Sequence, residues 1–423
     1  MYNYSQLALK NGLRIVLCDM PDRQSVSVGI WVGVGGRYED DALKGASHFL
    51  EHIVFKGSES YSCEQIKEQV EGRGGTLNAF TSEEQTCFYA KVPKKHLETT
   101  LDVLADMAFF PKIAARDMAK EKTVIVEEIK MYHDLPQYFV MELLDSLVWP
   151  DHPLGKNLAG TPQSVTAMRP KDLKAFHRRC YTPLNTVIAV AGDCRPQRLK
   201  KLVNAKLGAL SGGAALDFQK VDQVQAAPRF HFHKRAIEQT HIALGFPGVH
   251  EEHKDRYVLS LLSVLLGGNM SSRLFVEVRE KRGLAYSISS SSKTLTDTGL
   301  FMIRAGVDNS KVAQTMEIVL KELNKLRRRL VPEGEFRRAK DYLLGQLLLG
   351  LEDTMEHMLW IGETEIATGK IRTLPGMVRA FEKITPEDIR RVARDIFRPA
   401  VGNLAVVGPV TDQQENDIRR LMT

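Results

Sequence analysis

Two periodicities organise this chain. Runs such as Ser25-Val-Ser-Val-Gly-Ile-Trp-Val32 and Thr240-His-Ile-Ala-Leu-Gly-Phe246 place apolar residues at alternate positions, which puts them on one face of a strand. Other stretches repeat apolar residues every three or four positions, as a helix with one buried stripe requires. This spacing predicts helices over Leu43 to Lys56, Lys95 to Met107, Met118 to Lys130 and Asn309 to Leu326. Strand groups and helix groups cluster instead of strictly alternating, so the expected class is α+β, with helices layered on sheets.

The pattern also occurs twice. Phe88-Tyr-Ala-Lys-Val followed by a helix is echoed by Phe301-Met-Ile-Arg-Ala followed by a helix, and Gly208 to Pro228 shows little periodicity and contains Ser211-Gly-Gly-Ala-Ala215. That segment reads as a linker. The expected organisation is a first domain over residues 1–210, a linker over 211–228 and a homologous domain over 229–423. In the duplicated register Met118 to Glu128 falls against Phe336 to Gln346. Ala339 then stands where Glu121 stands, and Gln346 where Glu128 stands.

Composition narrows the class. Hydrophobic residues make up 43% of the 423 residues, enough for sizeable cores, and no apolar run approaches the ~20 residues needed to span a bilayer. Met1-Tyr-Asn-Tyr-Ser lacks a basic region followed by an apolar one, and no Arg-rich transit segment is seen. The expected location is cytoplasmic. Cys18, Cys63, Cys87, Cys180 and Cys194 are an odd number without close pairs, which fits a reducing compartment without a disulfide framework. The net charge of +6 and the run Arg327-Arg328-Arg329 raise nucleic acid as a partner, but no aromatic residues interleave for base stacking. Those arginines read as the solvated face of a helix whose stripe is Leu323, Leu326 and Leu330. His231 and His233 share a strand face, without an acidic neighbour to complete a site.

The chemistry concentrates at His48-Phe49-Leu50-Glu51-His52. On a helix, residues four apart point the same way, so His48 and His52 stack with Glu51 beside them. Two neutral imidazoles can hold a borderline-soft ion such as zinc, and an adjacent carboxylate can take a proton from water. A catalytic zinc needs a third protein ligand. In Met118 to Lys130, Glu121 and Glu128 share one face with Val124 and Ile125 between them, whereas Glu127 lies with Lys120, Thr123 and Lys130 on the charged side. This selects the Glu121/Glu128 pair, of which Glu128 is assigned as the ligand and Glu121 as the group that orients the site.

At this point the chain resembles the pitrilysin/insulinase family of zinc peptidases, whose inverted motif is H-x-x-E-H. Glu128 follows His52 by 76 residues, the family's spacing. Further matches are Gly74-Gly-Thr-Leu-Asn-Ala-Phe-Thr81, Tyr181-Thr-Pro-Leu-Asn185 and Arg279-Glu-Lys-Arg-Gly-Leu-Ala-Tyr286. The chain is most similar to the short branch that contains the mitochondrial processing peptidase β-subunit and its bacterial relatives. The resemblance implies two homologous α/β-roll domains, each a mainly antiparallel sheet covered by helices, in the processing-peptidase/LuxS-like metallohydrolase fold, facing one another across a chamber. It implies a zinc metalloendopeptidase with one Zn2+ per chain on His48, His52 and Glu128, and with Glu51 as general base. Substrate would add as a strand along Asn78, Ala79 and Phe80, while Arg279 and Tyr286 contact it and Tyr286 stabilises the oxyanion. Long family members place four such domains in one chain, so two domains imply a homodimer or a pairing with an inactive paralogue. The partners expected are a peptide or unfolded segment and a second chain, without nucleic acid or a membrane span. The alternative function is a noncatalytic core subunit built on the same fold.

Overall fold

The computed structural model of the protein describes residues 2–222 and 224–422. The chain forms two compact units: Met1–Lys130, Asn157–Gln219 and Leu347–Thr373 make the first, and Met131–Lys156, Lys220–Gln346 and Leu374–Thr423 the second.

The first unit is built on β1 (Asn3–Ala8), β2 (Arg14–Asp19), β3 (Ser25–Val32), β4 (Thr76–Thr81), β5 (Thr86–Pro93) and β6 (Thr186–Gly192), in the order β1-β2-β6-β3-β5-β4. Only β2 and β6 run parallel; the remaining pairs are antiparallel. Val26, Val28, Ile30 and Val32 of β3 enter a core shared with Phe49, Leu50 and Leu104, so the helices Ala46–Ile53 and Leu97–Phe109 cover that face. Trp31 points the other way, where Val187, Ala189, Met358 and Ile361 surround it. The helix Thr354–Thr368 covers this second face. It can lie so close because residue 362 is glycine: a Cβ there would come within 2.1 Å of the Trp31 indole nitrogen. Central strands buried on both faces explain why β6 is apolar almost throughout.

The second unit follows the same path. Strands β7 (Arg229–Lys234), β8 (Gln239–Pro247), β9 (Ala285–Thr294), β10 (Gly299–Asp308) and β11 (Asn403–Gly408) order as β7-β11-β8-β10-β9, with β7 and β11 parallel and the rest antiparallel. One parallel pair followed by an antiparallel run in the same sequence marks the duplication at the level of topology. The first unit adds β1 at its edge. Leu144 of the helix Pro136–Val148 packs with Ala243, Leu300 and Ala405 on one face of this sheet, and the larger core lies on the other.

Each unit therefore takes one sheet-covering helix from the opposite half of the sequence. Periodicity identifies the helices Pro136–Val148 and Thr354–Thr368 as amphipathic elements but carries no information about which sheet receives them. Other expectations shift by a few residues. The 309–326 helix is Val312–Arg328, so Leu330 lies beyond its end and is 43% exposed, while Leu323 and Leu326 continue a buried stripe that begins with Val312, Met316 and Val319. All five cysteines are free thiols. Among the described residues no helix is long and apolar enough to cross a membrane.

The H-x-x-E-H helix is shorter than the Leu43-to-Lys56 span predicted. It runs Ala46–Ile53 between single 3-10 turns at Asp41–Leu43 and Val54–Lys56. The break lies at Gly45, whose φ of 93° and near contact with the Ala159 carbonyl suit only glycine. No side chain of a neighbouring position caps this helix. Instead Glu39, which is buried, accepts the Gly45 N–H at 2.8 Å and the Ser47 N–H at 2.7 Å, with the Lys44 ammonium 3.6 Å away. A carboxylate among the free N–H groups of a helix start satisfies donors that would otherwise be orphaned. Burial pushes the Glu39 carboxyl up, and Lys44 and the two amides pull against that rise. Glu39→Ala leaves two buried amides without their acceptor and removes a counter-charge of the Lys44 ammonium, which keeps the Gly36 carbonyl at 2.8 Å, so it is expected to destabilise the protein by about 3 kcal/mol. Urea unfolding checks this, and a loss below about 1 kcal/mol would contradict the capping role.

Candidate metal centre

His48 and His52 sit one turn apart on the Ala46–Ile53 helix, with ring centroids 4.7 Å from each other. The opposing helix, Ala115–Asp134, brings Glu121 and Glu128 to the same place. Glu128 Oε2 is 3.3 Å from His52 Nε2 and 3.7 Å from His48 Nε2. One ligand atom from each of these three residues lies within 4.8 Å of the other two, and this is the only such group among the described residues. His231 and His233 stack at 6.5 Å between centroids without forming a comparable cluster.

The donor set fits zinc. Ligands at about 2.0–2.1 Å in a tetrahedron stand about 3.3–3.4 Å apart, close to the two nitrogen–oxygen separations seen here. The second ring nitrogen of His52 is 3.2 Å from Glu121 Oε2, the carboxylate–histidine arrangement that fixes an imidazole so that its other nitrogen could offer a lone pair to a metal. His48 Nδ1 is buried without a hydrogen-bond partner.

Helical phasing separates the three glutamates as their surroundings do. The Glu121 side chain is 6% exposed, Glu128 24% and Glu127 64%. Glu127 takes only a surface ion pair with Lys130. Val124, expected on the covered face, is instead 49% exposed, while Ile125 is fully buried. The reason is that the covered stripe is narrow and follows Met118, Glu121 and Ile125. Sequence reasoning missed Lys56, whose Nζ is 2.7 Å from Glu121 Oε1. Its position four residues after His52, on the same helical face, was the available signal. Lys56 balances the buried Glu121 charge, so that carboxylate does not depend on a metal alone.

Electrostatics at the cluster favour a cation. Burial, with His52 alongside, drives the His48 imidazole down to about 4 against the pull of Glu128, so near pH 7 it is neutral and can donate a lone pair. Burial also acts to lower His52, but hydrogen bonds to Glu128 and Glu121 and the nearby Glu51 outweigh it and raise the value. The carboxylates thus favour positive charge at the His52 ring, supplied by a proton or by a metal. The hydrogen bond with His52, against the effect of burial, holds Glu128 below the usual carboxylate range. Burial raises Glu51, while Thr81 and His52 oppose the rise. The Thr81 hydroxyl is itself buried and makes no well-formed hydrogen bond, so its effect on Glu51 is a polar contact. Thr81 ends β4; the sequence places it at the end of the candidate substrate strand and not beside Glu51.

Strand β4, which carries Asn78, Ala79 and Phe80, lies at the edge of its sheet and pairs only with β5. Asn78 Oδ1 accepts the Ala79 N–H at 2.8 Å. Phe80 packs edge-on to Trp31.

Within the second unit, Arg279 and Tyr286 are brought together. The Arg279 guanidinium carbon is 5.5 Å from the centre of the Tyr286 ring and 4.9 Å from that of Phe275. Lys281 and Arg282 pair with Glu277 and hold its carboxyl down at about 2. The Arg279-to-Arg282 charge run is therefore divided, two cations on Glu277 and Arg279 over aromatic faces. Tyr286 is 74% exposed. Ala339 and Gln346, the counterparts of Glu121 and Glu128, lie on the helix Glu333–Gly350.

Comparison with known proteins agrees with this geometry. Residues 14–162 match the model described as insulinase (peptidase family M16), and residues 167–343 the model described as peptidase M16 inactive domain. A protein of Streptomyces coelicolor described as an uncharacterized zinc protease is 38% identical over 96% of this chain and 90% of its own. An uncharacterized zinc protease of Bacillus subtilis is 37% identical over 95% and 97%. Among solved structures, a protease from Helicobacter pylori superposes with a TM-score of 0.89 at 24% identity, covering 96% of this chain and 100% of its own. A chain of complex III2 from Candida albicans gives 0.86 at 19%, covering 99% and 100%. At these identities the structures show the shared fold alone. The sequence relatives and the family models together place the chain in the insulinase family, peptidase family M16.

Proposed function

We propose that the protein is a zinc metalloendopeptidase that hydrolyses peptide bonds in peptides or unfolded segments. The observation that carries this reading is the convergence of His48, His52 and Glu128 at separations suited to one tetrahedral ion. The description of its relatives as zinc proteases supports it.

In this reading His48 and His52 hold the ion through Nε2 and Glu128 through a carboxylate oxygen. The ion, when bound, polarises the scissile carbonyl and acidifies the attacking water. Glu51 takes the proton from that water as it attacks. The same carboxyl then returns the proton to the amide nitrogen, which must be protonated to leave. Burial suits Glu51 to both duties, since a raised pKa makes it a stronger base when ionised and lets it retain the proton long enough to pass it on. Glu121 keeps His52 in the ligating tautomer, and Lys56 pairs with the other oxygen of Glu121 and holds that carboxylate in place.

The edge position of β4 leaves one side of its backbone unpaired, so an extended substrate can add along Asn78, Ala79 and Phe80. Arg279 as a substrate contact and Tyr286 as an oxyanion donor complete the proposal on sequence resemblance. The proposed assembly is a dimer, with a second copy or an inactive paralogue. A noncatalytic subunit would not need Glu51 beside three metal-ligating side chains. All four are present, which favours the enzyme.

Glu51→Gln is expected to retain zinc and to lose at least about a hundredfold in peptide hydrolysis. Zinc analysis and mass-spectrometric mapping of a peptide pool would establish this, and undiminished cleavage would sink the mechanism. His48→Ala should instead lose the metal, so full zinc occupancy in that variant refutes the ligand assignment. Glu121→Gln should keep the fold and weaken zinc affinity by about 10–100-fold in chelator competition. Wild-type affinity there would remove Glu121 from the site.

A further inference from the structure

The second unit contains a cavity of about 560 Å³ that includes no residue of the candidate metal centre. Its floor is apolar. Phe246 of β8, Leu323 of the helix Val312–Arg328, and Phe397 and Met422 from the last part of the chain all line it and are buried. Phe246 and Phe397 meet edge to face at 5.4 Å between ring centres, so the floor is a packed surface formed by several elements.

The rim has a different character. Lys321, Arg327 and Arg328 border the opening, with Glu317 the one acidic side chain among the lining residues. None of the three cations forms an ion pair among the described residues, whereas the neighbouring Lys325 is neutralised by Glu322 at 2.5 Å. Arg327 Nε is in addition buried without any hydrogen-bond acceptor. A buried guanidinium donor with nothing to bond is costly, and it leaves the positive charge of Arg327 without compensation among the described residues. The arginine run that reads from sequence as a solvated helix face is thus divided, with Arg327 turned partly inward.

We propose that this cavity binds an amphipathic anion of one kind, a single aliphatic chain ending in a carboxylate, as in a long-chain fatty acid. The apolar floor takes the chain, and Arg327 with Arg328 and Lys321 takes the carboxylate. The volume falls within the range of small-molecule sites, about 300–1,000 Å³. An apolar lining with a few convergent polar groups is what such sites display. Arginine is suited to the head group because its planar fork matches a carboxylate in two parallel hydrogen bonds. The site lies outside the proposed metal centre and does not depend on that reading.

The test is calorimetric titration of the full-length protein with dodecanoate below its micelle-forming concentration. One saturable site per chain is expected. Octanoate should bind more weakly, by about threefold to fourfold for each methylene removed, and dodecanol more weakly than dodecanoate because it lacks the charge. The double variant Arg327→Gln, Arg328→Gln should lose about tenfold or more in dodecanoate affinity with its thermal midpoint unchanged. Lys321→Gln gives an independent and smaller loss if the double variant does not fold. Absence of saturable binding overturns the proposal, as does equal affinity for dodecanoate and octanoate or for the wild type and the arginine variant. Binding to phosphatidylglycerol vesicles without binding to free dodecanoate also overturns it, in favour of a membrane-surface contact.

Discussion

A carboxylate set behind the H-x-x-E-H helix fixes where that helix begins. Glu39 gathers the amides of Gly45 and Ser47, and the left-handed turn at Gly45 lets the chain enter the helix at that angle. Everything at the proposed metal centre is referred to this start. The two histidines are placed by helical rise and rotation from it, and their distance from Glu128 follows from how the short helix packs beside the longer one. A one-residue shift of the start would rotate the imidazoles by about 100° and separate the donor set. The arrangement therefore rests on a buried charge interaction that takes no part in the chemistry.

Much of the centre was legible because helical geometry is local. The four-residue spacing of His48 and His52, and the seven-residue spacing of Glu121 and Glu128, set their faces without knowledge of the tertiary structure. The same geometry separated Glu127 from the pair, and the exposures of the three side chains follow it. What was not legible depends on contacts distant in sequence. Glu39 lies in an irregular segment with no periodicity to place it. Lys56 was visible as a neighbour of His52 on the helix face, but its pairing with Glu121 requires the second helix to be in position. The roll of Val124 out of the covered stripe is likewise a consequence of packing, since an apolar residue at the stripe's margin has no local mark of its exposure.

Duplication was read from strand and helix echoes, and the sheets carry it further than those echoes could. Both place one parallel pair beside an antiparallel run. Parallel pairing requires a long connection between the partners. In each unit the last strand must therefore return to lie beside an early one, β6 beside β2 and β11 beside β7. The shared path constrains the backbone and leaves side-chain chemistry free to diverge. That is how Ala339 and Gln346 can occupy the counterpart positions of two glutamates without altering the architecture.

The crossed membership of the covering helices bears on synthesis of the chain. Strands of the first sheet are complete once residue 192 has been made, but Trp31 and its apolar neighbours remain uncovered until Met358 and Ile361 emerge. At roughly 5–20 residues per second, that interval is about 8–30 s. For this time the nascent chain presents a formed or forming sheet with one oily face in water, a surface prone to association. The first half thus cannot mature in order of its translation, and its quality control in the cell is tied to the arrival of a segment encoded more than 150 codons downstream.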